Sequence, residues 1–181
     1  MEDFKDLREI KTESQEIFDG VILHVFKDTV RLPNGNSAIR EVIRHVGVIP
    51  VTEDGKVIIE RQFRYPLNRI VTEIPAGKLD SPSEDRLSAA KRELEEETGY
   101  TAKDWTVLGD YYPAAAYCDE RITLYLARGL ELGTRHLDED EFLNFKAVPL
   151  ADLVEQVMDG TITDGKTQVA ILKVARILEK L

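Results

Sequence analysis

Residues 77–100 read GKLDSPSEDRLSAAKRELEEETGY, and the second half of this stretch predicts a short acidic helix. Glu93, Glu96 and Glu97 follow one another at spacing i, i+3 and i+4. At 3.6 residues per turn, their carboxylates fall on one helical face, within roughly a 100° arc. Like charges at this spacing destabilise a helix by about 0.2–0.5 kcal/mol per pair, so an ordered helix that keeps them indicates a bound cation. Hard divalent cations such as Mg²⁺ take oxygen ligands and bridge to substrate phosphates.

Two starts of this helix are compatible with the sequence. Either Ser81 is the N-cap of a capping box, with Pro82 at N1 and Glu84 at N3, or Asp85 is the N-cap and Glu84 lies in the preceding loop. The end is clearer, because Gly99 is a natural C′ residue.

The fixed positions of this stretch resemble the Nudix box, G-x5-E-x7-R-E-U-x-E-E-x-G-U, where U is a bulky apolar residue. Glu84 is followed by seven residues and then by RELEEETGY, residues 92–100, so that six fixed polar or glycine positions match in register. Gly77 precedes Glu84 by six intervening residues instead of five, and we expect the turn-forming loop between them to absorb the extra residue. The resemblance implies an α/β fold, a Nudix-type α/β/α sandwich with a mixed β-sheet.

The same resemblance implies roles for the acidic residues. Glu93 and Glu97 would be metal ligands, and Glu96 would assist as a further ligand or in catalysis. The backbone carbonyl of Ala76 would be another ligand. The implied cofactor is Mg²⁺, with Mn²⁺ as a possible substitute. Because Arg92 and Glu96 are i,i+4 neighbours, we expect Arg92 to orient Glu96.

A second acidic cluster, LDEDEF at residues 137–142, precedes a predicted strand. By itself this pattern is typical of a solvated loop in an acidic chain. In the ADP-ribose pyrophosphatase branch of the Nudix family, however, a glutamate on a mobile loop at this point activates the attacking water. That resemblance makes Glu139 and Glu141 candidates for the general base. One could be the base and the other a metal ligand, and the sequence leaves the choice open.

The resemblance to this branch extends over nearly the whole chain and rests on QFRYP, residues 62–66, and EIPAG, residues 73–77. It implies that Arg40, Arg64 and Glu73 contact the substrate, although each alone could equally be an ordinary surface or sheet-edge residue. The implied activity is Mg²⁺-dependent hydrolysis of the pyrophosphate of ADP-ribose, or of a related nucleoside diphosphate sugar, to AMP and ribose 5-phosphate.

One departure from the branch affects the expected substrate. Ala115 and Ala116 stand where the branch usually has Pro-Gly before an acidic pair, and losing both conformationally special residues should change the loop. A dinucleoside polyphosphate or GDP-sugar hydrolase is therefore an alternative. A non-catalytic Nudix ligand-sensing domain is a second one, but it predicts an eroded box, whereas the carboxylates here are intact.

The chain is expected to have two parts. Residues 1–45 form a small antiparallel β unit, which the resemblance implies is exchanged in a homodimer; within it, residues 1–15 are polar and expected to be only partly ordered unless docked. Residues 46–181 form the Nudix hydrolase domain. Strands are predicted there at 46–51, 57–63, 71–74, 106–111, 122–127 and 141–148, and the final helices at 150–158 and 167–181.

The segment GTITDGKT, residues 160–167, satisfies the P-loop pattern G-x4-G-K-T. We reject a P-loop here, because such a loop must follow a strand of a parallel sheet, whereas a helix is predicted before this segment. An interhelical loop is the better interpretation.

The formal charge of −10 argues against a nucleic acid or an anionic membrane as a non-specific partner. An anionic substrate would then require bridging cations. Cys118 is the only cysteine, which indicates a reducing compartment. The first residues contain no apolar signal core, and no apolar run approaches the ~20 residues of a membrane span. We therefore expect a cytoplasmic protein.

Overall fold

The computed structural model describes residues 10–20, 24–32, 34–40, 45–64, 67–81, 83–116, 120–136 and 143–179. The chain divides into two compact units. The smaller consists of Met1–Arg44 with Ala114–Arg121, and the larger of His45–Pro113 with Ile122–Leu181. None of the helices in the described ranges is long and apolar enough to cross a membrane.

The smaller unit contains an antiparallel sheet of β1 (Ile10–Asp19), β2 (His24–Arg31) and β3 (Ser37–Arg40), in that order. Residues 10–15, expected to be ordered only if docked, lie in β1 and pair with β2. All ten residues of β1 are exposed. A strand that buries neither face shows no apolar alternation, so its pairing with β2 has no signature in the sequence.

The described part of the larger unit contains six strands, in chain order β4 (His45–Pro50), β5 (Lys56–Arg64), β6 (Arg69–Glu73), β7 (Tyr100–Tyr111), β8 (Ile122–Leu132) and β9 (Leu143–Pro149). They form two sheets of three. In the first, β8 runs parallel to β4 and antiparallel to β7, so this sheet is mixed. In the second, β5 pairs antiparallel with both β6 and β9.

Two strands, β7 and β8, are at least five residues longer than predicted. β7 starts at Tyr100 rather than Thr106, and β8 continues to Leu132 rather than ending at Ala127. The added residues pair with one another as an antiparallel ribbon, from Tyr100 opposite Leu132 onward. This ribbon carries charged side chains among its apolar ones, which hides it from a search for apolar runs.

Among its described residues the unit also has three helices: α1 (Arg86–Thr98), α2 (Leu150–Met158) and α3 (Gly165–Leu178). The bounds of α2 are those predicted. The predicted α3 starts two residues later and ends three residues later than the observed helix. Asp164 accounts for the earlier start, because its Oδ2 accepts the Thr167 backbone N–H at 2.9 Å and so caps the helix.

Helices cover the mixed sheet on both faces. On one face, Val48 of β4 and Tyr125 of β8 pack with Ala90 and Leu94 of α1. On the other face, β4 and β8 pack with β5, α2 and α3, and the fully buried side chains there include Ile49, Ile59, Leu124, Leu126, Leu153 and Ile171. The predicted α/β/α layering with a mixed sheet is confirmed.

Thr167 ties α3 to the end of β6. Its buried Oγ1 accepts the backbone N–H of Ile74 at 2.9 Å. Thr167→Val keeps the shape but removes the acceptor, so the free energy of unfolding should fall by about 1–3 kcal/mol in chemical denaturation. Thr161→Val, exposed on the loop between α2 and α3, is the control and should change the free energy by less than about 0.5 kcal/mol. Equal effects of the two substitutions would contradict this role of Thr167.

Candidate active site

The residues before α1 decide between the two predicted helix starts. Asp85 is the N-cap, with its Oδ2 accepting the Ser88 backbone N–H at 2.9 Å. Glu84 lies in the preceding loop and accepts the Asp80 backbone N–H at 2.6 Å. That hydrogen bond lowers the pKa of Glu84, so its carboxylate is charged at neutral pH. The Asp85 start is therefore correct and the Ser81 capping box is wrong.

The helix ends where the sequence predicted. Gly99 has a φ of 74°, in the left-handed region, and its N–H donates to the Glu95 carbonyl at 2.8 Å. Glycine adopts this conformation at no steric cost, which explains its place at the end of α1.

Arg92 forms hydrogen bonds with several carboxylates on this face of α1. Its Nη1 donates to Glu93 Oε1 and to Glu96 Oε2, at 2.9 Å each. Its Nε and Nη2 reach Glu84 at 3.4 Å, and Nη2 donates to the Lys78 carbonyl at 3.0 Å. Partial burial works against the charge of Arg92, but these carboxylates raise its pKa above the ordinary value. Arg92 therefore offsets the repulsion within the acidic face, and its predicted contact with Glu96 is present.

Glu97 connects α1 to the segment before the box. The residue is 4% exposed, and its Oε2 accepts the Ala76 backbone N–H at 3.0 Å. A buried carboxylate needs such compensation, because leaving water without partners is costly for a charge. Ala76 and Glu97, two of the predicted metal ligands, are thus in direct contact.

Gly77 leaves the space that Glu93 occupies. A Cβ built on Gly77 would lie 2.0 Å from both Cδ and Oε1 of Glu93. No non-bonded contact is that short, so a side chain at residue 77 would displace the Glu93 carboxylate from its present position. Glu93 and Glu97 therefore both meet the short segment formed by Ala76 and Gly77.

The chemistry of these groups fits a hard divalent cation. Within the described ranges, no three acidic, histidine or cysteine side chains are grouped closely enough to hold a metal ion by themselves. Mg²⁺ commonly takes only one or two carboxylates from the protein and completes its shell with water and substrate phosphates. Glu93 and Glu97, at i and i+4 beside Ala76, supply oxygen ligands of that kind.

Arg64 and Glu73, predicted to contact the substrate, form an ion pair between β5 and β6. Arg64 Nε donates to Glu73 Oε1 at 2.6 Å, and Nη2 donates to Oε2 at 2.9 Å. Hydrogen bonding to Glu73 raises the pKa of Arg64, and the charge of Glu97 adds to this effect. The Arg64 side chain is 41% exposed, so a guanidinium in the field of the acidic site remains accessible to a ligand.

Lys166 completes this cluster, and the sequence analysis did not identify it. Its ammonium makes a short contact with Glu73 Oε2 and lies 3.1 Å from Asp164 Oδ1. Burial alone would raise the pKa of Glu73, but hydrogen bonds and charge from Arg64 and Lys166 hold it below the ordinary value. A signal did exist, because a lysine in the first turn of a helix opposes the helix dipole and indicates a specific anionic partner.

Lys166 belongs to the segment that satisfies the P-loop pattern. Residues 160–164 follow α2, and α3 begins at Gly165. The predicted interhelical loop is therefore confirmed.

The roles predicted for the site residues all stay predictions, and for three of these residues the side chain lies outside the described part. Arg40 is the last residue of β3, in the smaller unit, and its side chain is outside the described part. Glu139 and Glu141 both lie outside the described residues.

Comparison with known proteins identifies the family of the chain. The family profile described as "NUDIX domain" matches residues 42–167, and that described as "Nucleoside diphosphate sugar hydrolase N-terminal domain" matches residues 9–43. The chain is 41% identical over 172 residues to the ADP-ribose pyrophosphatase of Bacillus subtilis (strain 168), with 92% of each chain covered. It is 39% identical over 167 residues to the methanol dehydrogenase activator of Bacillus methanolicus, with 90% of this chain and 89% of that protein covered.

A solved structure shows the same fold. The crystal structure of an ADP compounds hydrolase superposes with a TM-score of 0.78 at 22% identity, covering 96% of this chain and 95% of that one. The NUDIX profile spans most of the chain, and residues 77–100 lie within the matched range. The protein is a member of the Nudix hydrolase family.

Proposed function

We propose that the protein hydrolyses the pyrophosphate bond of ADP-ribose, or of a related nucleoside diphosphate sugar, to AMP and ribose 5-phosphate, with Mg²⁺ as cofactor and Mn²⁺ as a possible substitute. The observation that carries the proposal is that the Glu93 and Glu97 carboxylates both lie beside the segment of Ala76 and Gly77. The accessible Arg64 is close enough for the charge of Glu97 to raise its pKa. Such a site pairs oxygen ligands for a cation with a donor for phosphate. The name of the Bacillus subtilis relative supports ADP-ribose as the substrate.

Each residue of the site has a distinct proposed role in the reaction. Mg²⁺ held by Glu93, Glu97 and the Ala76 carbonyl would neutralise the diphosphate and lower the pKa of the attacking water. Arg92 keeps Glu93 and Glu96 in place on the helix, and Glu96 assists the reaction. Arg64 donates to Glu73 through Nε and Nη2. Its Nη1 has no acceptor among the described residues, and we propose that it donates a charge-assisted hydrogen bond to a substrate phosphate.

Glu139 or Glu141 is proposed as the general base. The carboxylate takes a proton from water as the oxygen attacks phosphorus. The bond between that phosphorus and the bridging oxygen breaks, and the two phosphate monoesters leave. Assigning the base requires Glu139→Gln and Glu141→Gln to be compared for turnover.

A homodimer is proposed with residues 1–45 as its β unit and residues 46–181 as the hydrolase domain. The exposed strand β1, with Ile17 and Phe18 exposed among its residues, supports this proposal. A long exposed edge strand with apolar side chains is the kind of surface that a second copy covers. Light scattering on the eluted peak should give twice the 20.5 kDa chain mass; a monomer at micromolar concentration would refute the dimer. The cytoplasmic location stays a prediction.

Substrate comparison tests the proposed function. ADP-ribose, diadenosine tetraphosphate and GDP-mannose are assayed in parallel with Mg²⁺, and products are identified by anion-exchange chromatography. We expect the highest kcat/KM for ADP-ribose, with AMP and ribose 5-phosphate as products. A preference for either other compound would favour a dinucleoside polyphosphate or GDP-sugar hydrolase. No turnover of any of the three, at saturating Mg²⁺ or Mn²⁺, would favour a ligand-sensing domain.

A further inference from the structure

We infer that Lys166 is a positioning residue for substrate binding. From the first turn of α3, it fixes the Glu73 carboxylate and, through it, the Arg64 guanidinium that meets the substrate phosphates. The inference rests on the proposed function, because it takes Arg64 as the group that contacts the substrate.

The side chains of Lys166, Glu73 and Arg64 form one continuous network of ion pairs. Lys166 Nζ contacts Oε2 of Glu73, the same oxygen that accepts Arg64 Nη2 at 2.9 Å. Two cations therefore share one carboxylate oxygen. On its other side, Lys166 Nζ lies 3.1 Å from Asp164 Oδ1, while Asp164 Oδ2 caps α3 through the Thr167 N–H at 2.9 Å. The ammonium is held between the helix cap and Glu73, so it cannot shift without disturbing one of them.

Burial makes this arrangement sensitive to the loss of one charge. Glu73 is 5% exposed, and the Lys166 side chain is 11% exposed. The cluster of Arg64, Lys166, Glu73 and Asp164 is neutral as it stands. Without Lys166, two carboxylates share one cation in a poorly solvated place, where electrostatic interactions are stronger than in water. Arg64 would then be drawn toward Glu73 and Asp164, and its hydrogen bonds to substrate phosphates would weaken.

The first turn of α3 also supports the backbone near the site. A test must separate this structural role from the effect of the Lys166 charge. Thr167 Oγ1 accepts the Ile74 N–H at 2.9 Å, two residues before Ala76. A merely structural Lys166 would support the same backbone segment, and its loss would lower stability or the fraction of active enzyme. A positioning Lys166 changes the affinity for substrate instead.

Steady-state kinetics with ADP-ribose distinguishes the two roles. In Lys166→Met, which keeps the apolar stem and removes the charge, we expect KM to rise about tenfold while kcat stays within about twofold. Lys166→Gln, which keeps a hydrogen-bond donor, should show the same rise and serves as a second uncharged variant. Lys166→Arg keeps the charge and should restore KM to within about threefold of wild type. The control is Lys173→Met, which removes an exposed lysine from the same helix and should leave KM unchanged.

Isothermal titration with a non-hydrolysable methylene analogue of ADP-ribose, at saturating Mg²⁺, provides the second readout. The dissociation constant should weaken about tenfold in Lys166→Met and recover in Lys166→Arg. Unchanged KM and dissociation constant in both uncharged variants, in an active wild-type background, would overturn the inference and leave the proposed function standing. A fall in kcat alone would assign Lys166 a structural role. A wild type that neither binds the analogue nor hydrolyses ADP-ribose, with Mg²⁺ present, would refute the proposed function itself.

Discussion

Glu97→Gln should lower the turnover of ADP-ribose by about 10³-fold or more, because a metal ligand contributes several kcal/mol to transition-state stabilisation and each 1.36 kcal/mol is tenfold in rate. Glutamine preserves the size of the side chain, and its amide oxygen can still accept the Ala76 N–H that Glu97 now accepts at 3.0 Å. The fold should therefore stay intact while the charge is lost. Steady-state kinetics at saturating Mg²⁺ and a thermal unfolding curve measure the two effects.

Glu95→Gln is the matched control for this substitution. Glu95 is exposed on the same helix, two positions away. Its neutralisation changes the net charge by the same amount and should leave turnover within about twofold, as expected for a surface site outside the machinery. Near-normal turnover in Glu97→Gln, or an equal loss in Glu95→Gln, would contradict the assignment of Glu97 as a metal ligand.

Gly77→Ala should lower turnover by about 10²-fold, because a misplacement of about 1 Å at a reacting centre is enough for such a loss. The new methyl group would stand 2.0 Å from the Glu93 carboxylate, so either Glu93 or the backbone at residue 77 has to move. Both belong to the proposed metal site. The measurement is kcat at saturating Mg²⁺.

Gly160→Ala controls for the loss of stability that a glycine replacement can bring. Gly160 has a φ of 81°, and a Cβ there meets nothing within 4 Å. Its replacement should cost about 1–2 kcal/mol of stability, since the left-handed conformation disfavours a side chain, and it should leave kcat unchanged. If Gly77→Ala keeps wild-type kcat, Glu93 is not held where the metal site needs it.

The acidic helix could be predicted because its information is local. The spacing of Glu93, Glu96 and Glu97 defines a helical face, and the Arg92–Glu96 contact follows from i,i+4 geometry. The central part of β8, residues 122–127, was also predictable. All six of its residues are buried, as expected of a strand that is covered on both faces. The sequence of such a strand is a nearly continuous run of apolar residues.

Contacts between distant residues could not be predicted in the same way. Lys166 and Glu73 are 93 positions apart, and no periodicity connects them. The contact between Gly77 and Glu93 depends on how the loop before α1 returns to the helix. For β1 the reason is different: a strand exposed on both faces is held by backbone hydrogen bonds, which any residue except proline can form.

Calorimetric titration of Mg²⁺ tests the central claim most directly. Mg²⁺ is added to the wild-type protein and to Glu97→Gln, each alone and with a non-hydrolysable methylene analogue of ADP-ribose. We predict binding to the wild type that strengthens when the analogue is present, and binding that is lost or greatly weakened in Glu97→Gln. A wild-type protein that takes up neither Mg²⁺ nor Mn²⁺, with or without the analogue, would contradict the claim that these carboxylates hold a divalent cation against a diphosphate.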